Sequence, residues 1–204
     1  MQASPPVRVP SAGLPFALQQ RGSRDCGNAQ EALQSQADHL RQSASLLEDF
    51  KLDELAILGA AMHKISAKPG QVLIEEGESG DWMLLVLQGT VDVTKRIMHH
   101  DTAGQPTASL LEVSRLAVVR AGASLGEMSM LDNELRNATC TAIEEVEAAI
   151  LTRAAIGHLI ADHPAVGAKL LIKITQLLAQ RLRNTSAQLV KVVVEGKQRA
   201  LFKS

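Results

Sequence analysis

The chain has 204 residues, a formal net charge of −1 and 46% hydrophobic residues, enough for one domain with a substantial core. Only 2% of the residues are aromatic and none is tyrosine, so that core must be aliphatic. A protein that grips nucleic-acid backbones usually carries a basic excess, so the balanced charge predicts no nucleic-acid partner. Cys26 and Cys140 have no C-x-x-C spacing, which argues against a disulfide framework or a metal knuckle.

The amino-terminal segment, residues 1–28, is rich in Pro, Ser, Gly and Gln and contains no continuous apolar run. This composition predicts a disordered tail and no signal peptide. No later segment approaches the roughly 20 unbroken apolar residues that a membrane span requires. We therefore expect a cytoplasmic protein with no membrane partner.

Helical periodicity follows in residues 29–66. Apolar residues recur at three- and four-residue steps over 33–47 and again over 52–62, which predicts two amphipathic N-terminal helices. Pro69 and Gly70 end this pattern, because proline cannot continue a helix and glycine favours a turn.

Short aliphatic segments punctuated by glycines occupy residues 67–152. Several such strands without intervening helices indicate an antiparallel β-roll or jelly-roll barrel rather than β-α-β units. Residues 99–114 form an unusually long polar link, which predicts a protruding loop. The predicted strands are Gln71–Glu76, Trp82–Leu87, Thr90–Ile97, Leu116–Val119, Ala138–Ile143 and Val146–Thr152.

Helical spacing returns over residues 153–195, with a short helix ending near Pro164 and a long one after it; residues 196–204 are predicted as a basic tail. The predicted fold class is therefore α+β, a β-roll flanked by N-terminal helices and a long C-terminal helix. Seven-residue steps in the long helix predict a parallel homodimer seam. The same residues could instead cover the β-roll of their own subunit. The residues at these steps are Leu171, Leu178, Thr185 and Val192.

A candidate anion site lies between Gly122 and Thr139. Gly126 lets backbone approach a ligand closely, and the helical turn that follows presents free amides, which favour an anion. Arg136 lies nine residues after Glu127 (136 − 127 = 9) and can return a guanidinium to the same place. The planar fork of arginine suits phosphate, whereas a carboxylate can accept hydrogen bonds from sugar hydroxyls. The pattern predicts a nucleotide-phosphate site.

From about residue 50 to about residue 189 the chain resembles the cyclic nucleotide-binding domain family, shared by bacterial catabolite-activator-type regulators, regulatory subunits of cyclic-AMP-dependent kinases and nucleotide-gated channels. Three groups of motifs carry the resemblance. They are the glycine-punctuated Pro69-Gly70, Gly77, Gly80-Asp81, Gly89 and Val91-Asp92-Val93; the cassette Gly126-Glu127-Met128-Ser129 with Arg136-x-Ala138-Thr139; and the long-helix run Arg181 to Ser186.

The resemblance implies that Glu127 binds the ribose 2′-hydroxyl and that Arg136 pairs with the cyclic phosphate. It places backbone groups of Gly126 and Met128 near sugar and phosphate, with Ser129 and Ala138 completing the cassette. In the long helix it implies base contacts for Thr185 and Ser186. Asn137 stands where the family usually has Ala, Ser or Thr, and Leu135 replaces the frequent Pro, so these two departures leave the identity of the base open.

The expected function is that of a stand-alone bacterial sensor that binds cyclic AMP and regulates an unidentified effector protein through helix rearrangement. Cyclic GMP and cyclic di-GMP remain open as ligands. A ligand-free dimerisation or docking module is the alternative from another class. We expect no helix-turn-helix after the long helix, no enzyme activity and no cofactor. His99-His100-Asp101 lacks partners at ligand spacing, so no metal is expected either.

Overall fold

The computed structural model describes residues 13–43, 46–100 and 106–201. The helices are α1 (Phe16–Gln20), α2 (Gln30–Ser35), α3 (Ala37–Ser43), α4 (Leu52–Ala60), α5 (Glu127–Asp132), α6 (Arg153–Asp162) and α7 (Pro164–Leu201). The strands are β1 (Arg24–Asn28), β2 (His63–Ala67), β3 (Val72–Ile74), β4 (Trp82–Gln88), β5 (Thr90–His100), β6 (Pro106–Arg120), β7 (Ser124–Leu125), β8 (Thr139–Ala142) and β9 (Val146–Thr152).

The strands form two antiparallel sheets. One has the order β1-β2-β9-β4-β7 and the other β3-β8-β5-β6. Their facing sides share one aliphatic core, which includes Ile65 and Ile150 from the first sheet and Leu73 and Val91 from the second. The predicted α+β fold with an antiparallel β-roll is confirmed, as two open sheets without a closed barrel among the described strands.

Strand β4 explains how helices and sheets are joined. Leu84 and Val86 point into the core between the sheets, whereas Met83, Leu85 and Leu87 point into a second core built with the helices. A strand covered on both faces needs no polar side. This double burial is the physical reason for the uninterrupted apolar run that begins at Trp82.

The first half of α7 packs on the second core through Val166, Leu170 and Ile174. Ion pairs tie the same part of the helix to the amino-terminal helical region: Lys169 Nζ lies 2.6 Å from Glu54 Oε2, and Lys173 pairs with Asp49. The later part of α7, from residue 182 to residue 194, is exposed. One end of the helix is therefore anchored while the other extends from the body.

The predicted disordered tail is wrong for residues 13–28, where the chain forms α1 and β1. Leu14 and Leu18 are buried in the β-roll core, and β1 pairs with β2 at the edge of the first sheet. Composition is misleading here because two well-placed leucines and a backbone ladder order a segment that is otherwise polar. Residues 1–12 lie outside the described residues.

Three further expectations about the elements are wrong. Most of the predicted loop at 99–114 continues the β5–β6 hairpin, with His100 opposite Pro106; residues 101–105 lie outside the described residues. His63, predicted to be helical, begins β2. The predicted tail continues α7 as far as Leu201. In each case backbone hydrogen bonds, between strands for the first two and along the helix for the third, decide a structure that the local sequence did not indicate.

Candidate functional site

A cavity of about 270 Å³ lies where α5 meets the inner faces of both sheets. Strand β7 leads into α5 through Gly126, whose φ of +81° is in the left-handed region that glycine adopts at no steric cost. This tight turn directs the start of α5 into the cavity. Its apolar walls are Ile74, Val93, Leu116 and Leu125.

Arg136 lies at the inner wall of this cavity and is only 4% exposed. Its Nη1 donates to the carbonyl of Gly126 and its Nη2 donates to the carbonyl of Trp82, each at 2.7 Å. The guanidinium carbon also lies 4.5 Å from the centre of the Trp82 ring, within cation–π distance. These two hydrogen bonds use two of the five donors of a guanidinium, so three donors are not engaged in them.

Burial lowers the pKa of Arg136 below its ordinary value, while the negative charges of Asp81, Glu127 and Glu78 act in the opposite direction. Arginine tolerates such a site better than lysine, because its charge is delocalised and weakly hydrated. The residue thus presents a desolvated positive charge to the cavity, which strengthens its attraction for a phosphate.

Glu127, the first residue of α5, is 1% exposed. Its Oε1 accepts a hydrogen bond from Nη1 of Arg181, whereas its Oε2 has no hydrogen-bond partner among the described residues. A buried carboxylate oxygen without a donor costs free energy, on the order of 1–3 kcal/mol or more for a charged group. A ligand hydroxyl group that donates to this oxygen would remove that cost.

Arg181 brings α7 to the site. Besides binding Glu127, its Nη2 donates to the carbonyl of Ser124 at 2.6 Å, and the side chain lines the cavity. The sequence analysis named Arg181 only as the first residue of the long-helix run that resembles a base-contacting segment. Its contact with Glu127 was not predicted. The available signal was its spacing of four residues from Thr185, which places Arg181 on the same face of the helix as a predicted ligand contact.

Lys95 was also missed. It extends from β5 into the cavity, where its Nζ donates to the backbone carbonyl and to Oδ1 of Asn137, both at 2.8 Å. The side-chain oxygen of Asn137 is therefore bound by Lys95, and Asn137 itself lines the cavity. The alternation of β5 placed Lys95 on the same face as Val93, which was the sequence signal for an inward-facing cation.

The remaining predicted residues divide into two groups. Met128, Ser129 and Ala138 line the cavity together with Gly126, Glu127, Arg136 and Asn137. Thr185 and Ser186 do not line it and are exposed on α7, one turn beyond Arg181. Their predicted contact with a base stays a prediction.

The far end of α5 is held by Arg153, the first residue of α6. Its Nε donates to the carbonyl of Met130 at 2.6 Å and its Nη2 to the carbonyl of Ser129 at 3.2 Å, while Nη1 binds Asn133. The carbonyl of Ser129 also accepts the backbone N–H of Asn133, so Arg153 adds a side-chain donor at the end of the short helix. The cassette helix is thus fixed to Arg181 at its beginning and to α6 at its end.

In the described part of the chain no group of three or more potential ligand side chains could hold a metal ion. None of the described helices is long and apolar enough to cross a membrane. The side chains of His99, His100 and Asp101 lie outside the described residues.

Comparison with known proteins agrees with the geometry of the cavity. A family model described as "Cyclic nucleotide-binding domain" matches residues 64–163. A cyclic nucleotide-binding domain from Methylobacillus flagellatus KT shares 32% identity at a TM-score of 0.68, covering 82% of this chain and 88% of that one. The Thermus thermophilus catabolite activator protein shares 25% identity at a TM-score of 0.59, covering 72% and 62% of the two chains.

A CRP-like cAMP-activated global transcriptional regulator of Mycobacterium tuberculosis is 26% identical over 156 residues, which is 76% of this chain. The chain spans about 63% of the length of that regulator. Fold, cassette and relatives agree, and the chain belongs to the cyclic nucleotide-binding domain family.

Proposed function

We propose that this protein is a sensor that binds cyclic AMP between Glu127 and Arg136 and reports occupancy through α7. The observation that carries the proposal is that two buried residues of opposite charge, Arg136 and Glu127, line the same cavity. Arg136 keeps donors available for a phosphate, and Glu127 keeps one buried oxygen available for a sugar hydroxyl. A cyclic nucleotide supplies both groups on one rigid ring system.

The size of the cavity favours a mononucleotide. At about 270 Å³ it lies just below the usual range of small-molecule pockets, roughly 300–1,000 Å³. Cyclic di-GMP carries two nucleotides and would need about twice the space of cyclic AMP. Relatives are named both as a cAMP-activated regulator and as a cGMP-dependent protein kinase, so they support the ligand class more than the base.

Cyclic AMP is the ligand we place first, as the resemblance of Arg181 to Ser186 to an adenine-contacting segment implies. Arg181 lines the cavity, and Thr185 lies one turn further along the same face of α7. A base that leaves the cavity along α7 would therefore approach Thr185 and Ser186. The proposed role is binding and signalling rather than catalysis, with an unidentified effector protein as the partner.

The test is calorimetric titration of the protein with cyclic AMP, cyclic GMP and cyclic di-GMP. We expect cyclic AMP to bind with micromolar or tighter affinity, which corresponds to about −8 kcal/mol or better. Arg136→Ala should weaken binding by at least about 1.5–3 kcal/mol, the scale of a hydrogen bond to a charged group. Arg136→Lys retains the charge without the fork and should give an intermediate loss.

Arg115→Ala is the matched control. Arg115 forms a two-pronged pair with Asp92 on the exposed side of the β5–β6 hairpin, away from the cavity. Its removal should leave cyclic AMP affinity unchanged. If folded wild-type protein produced no heat with any of the three nucleotides, the sensor would be excluded.

A ligand-free docking module is the second candidate, and one observation favours it. Arg136, Glu127 and Arg181 already have protein partners, so the charges of the site are largely balanced within the chain. Such a module would retain the fold and the exposed part of α7 without responding to nucleotides. The same titration separates the two functions.

A further inference from the structure

The segment that contains α1 and precedes β1 packs against the outer side of the ligand site. Leu18 is fully buried in the β-roll core, and Ser23 Oγ accepts a hydrogen bond of 2.8 Å from Nε2 of Gln71. Between these two anchors lies Arg21, whose side chain is only 16% exposed. The segment from residue 14 to residue 23 is called the arm below.

Arg21 contacts the connection between β3 and β4, residues 75–81. Its Nη2 lies 3.2 Å from Oε2 of Glu75 and also pairs with Oε2 of Glu78. Its Nη1 reaches the carbonyl of Leu73, the middle residue of β3, at 3.5 Å. A single guanidinium thus joins β3 to two positions of the connection.

The inner side of the same connection holds Arg136. The carbonyl of Glu78 accepts a 2.7 Å hydrogen bond from the backbone nitrogen of Arg136, and the carbonyl of Arg136 accepts one of 2.8 Å from Gly77. Gly80 lies so close to the guanidinium of Arg136 that a Cβ atom would overlap it. Glu78 therefore meets the arm with its side chain and Arg136 with its backbone.

We propose that Arg21 is a positioning residue of the nucleotide site. By holding the carboxylate of Glu78 it fixes the connection against Arg136, so that the guanidinium meets the phosphate without prior rearrangement. The inference rests on the proposed function, since it assigns the arm a role in the affinity of that same site. An anion held by a preorganised donor is bound more tightly than one that must first order it.

An isolated surface ion pair would contribute little, because both side chains lose entropy and water screens the charges. Arg21 differs in three respects: its side chain is mostly buried, it has three acceptors, and the chain is anchored on both sides of it, by Leu18 in the core and by the hydrogen bond of Ser23. Its charge also neutralises a carboxylate next to Arg136. The pair is therefore expected to act on the position of the connection.

Arg21→Met tests the proposal, because it keeps an unbranched apolar stem and removes the charged fork. We expect cyclic AMP affinity to fall about five- to tenfold, within the range for directly coupled residues. Arg21→Glu should reduce affinity further, and adding Glu78→Arg should restore part of it. Lys64→Met is the control, since Lys64 pairs with Glu147 across β2 and β9 and neither residue lines the cavity.

Trp82 provides a readout that needs no nucleotide. It is the only tryptophan of the chain, which has no tyrosine, and its ring stacks on the guanidinium of Arg136. We expect its emission to change in Arg21→Met and to stay unchanged in Lys64→Met, although both variants lose an ion pair. Equal thermal unfolding of the two variants would separate positioning from general stability.

Each result decides the proposal. Wild-type binding with unchanged affinity and unchanged Trp82 emission in Arg21→Met would overturn the role of Arg21 and leave the sensor intact. A loss of affinity that the Arg21→Glu, Glu78→Arg pair does not restore would overturn the specific contact. Folded wild-type protein that binds no nucleotide would overturn the sensor and the positioning role together.

Discussion

At the scale of single residues, the site depends on Arg136, a charge buried where water cannot solvate it. The protein compensates with two carbonyl oxygens, an aromatic face and a neighbouring carboxylate. Two glycines make the space. A Cβ at Gly126 would lie 2.5 Å from Nη1, and one at Gly80 would overlap the same guanidinium. These close approaches fix the direction of the fork.

Gly80→Ala tests this packing without backbone strain, because Gly80 is not among the residues with positive φ. We expect the added methyl group to displace Arg136 and to weaken cyclic AMP binding by about 1–3 kcal/mol, the usual cost of overpacking. Titration calorimetry measures the loss. Gly157→Ala is the control: it lies in α6 with open space around it and should stabilise the fold by about 0.5–1 kcal/mol without affecting affinity. Unchanged affinity in Gly80→Ala would contradict the packing.

Cys140 gives a second prediction at this scale. Burial raises the pKa of its thiol from 9.0 to about 12. Because the folded pKa is above the unfolded one, the stabilising contribution is complete below pH 9 and is lost as the pH rises towards 12. We expect denaturant-induced unfolding to show a decline of stability over this window, and Cys140→Ala to reduce that decline. An identical pH profile in the variant would disprove the link.

At the scale of elements, α5 is held from both ends. Arg181 of α7 binds its first residue, Glu127, and Arg153 of α6 binds the carbonyls of its last turn. Arg181 uses one oxygen of Glu127 and leaves the other available. Glu127 can therefore bind a sugar hydroxyl and α7 at the same time, which couples the ligand to the helix by direct contact.

Arg181→Ala should break this coupling. We expect cyclic AMP to slow hydrogen exchange along residues 165–195 of the wild-type protein. In the variant the nucleotide should still bind, with little slowing of exchange in α7. Arg183→Ala is the control, because Arg183 is exposed on the same helix and bonds only to Gln180 among the described contacts. A normal exchange response in Arg181→Ala would show that the signal does not pass through this ion pair.

At the scale of the whole molecule, the seven-residue pattern of α7 has a first part that is packed and a second part that is exposed. Leu171 and Leu178 pack against the core of the same chain, whereas Val192 is well exposed, as are Leu182 and Leu189 on a neighbouring row of the helix. The intramolecular reading therefore holds for the first half of the pattern, and a seam between two copies of the chain stays a prediction for the second half. The predicted homodimer would use the part of α7 beyond Arg181.

Sedimentation equilibrium tests this prediction. We expect wild-type protein to dimerise at micromolar concentrations and Leu189→Glu to remain monomeric, because a charge at an apolar seam is costly. Gln188→Glu introduces the same charge at a neighbouring position and should still dimerise. Wild-type protein that stays monomeric at all concentrations would refute the seam and leave the cyclic nucleotide site unaffected.

The sequence by itself determined the order of helices and β-roll, and it identified Gly126, Glu127 and Arg136 as one site. Local periodicity and a compact motif carry this information, because their residues lie within a few positions of each other. Strands β3, β4, β8 and β9 were predictable for the same reason. The strand β2 and the long β5–β6 hairpin were not, since their stability comes from backbone pairing with distant segments.

Only the tertiary structure decided which distant side chains meet at the cassette. Lys95 and Arg181, which both line the cavity, lie 41 and 45 residues from Arg136 in the chain (136 − 95 = 41, 181 − 136 = 45). Cations at such separations look like solvated surface charges in a single sequence. They become parts of one site because the two sheets and α7 enclose a small volume around Arg136, where burial makes each charge interact strongly with the next.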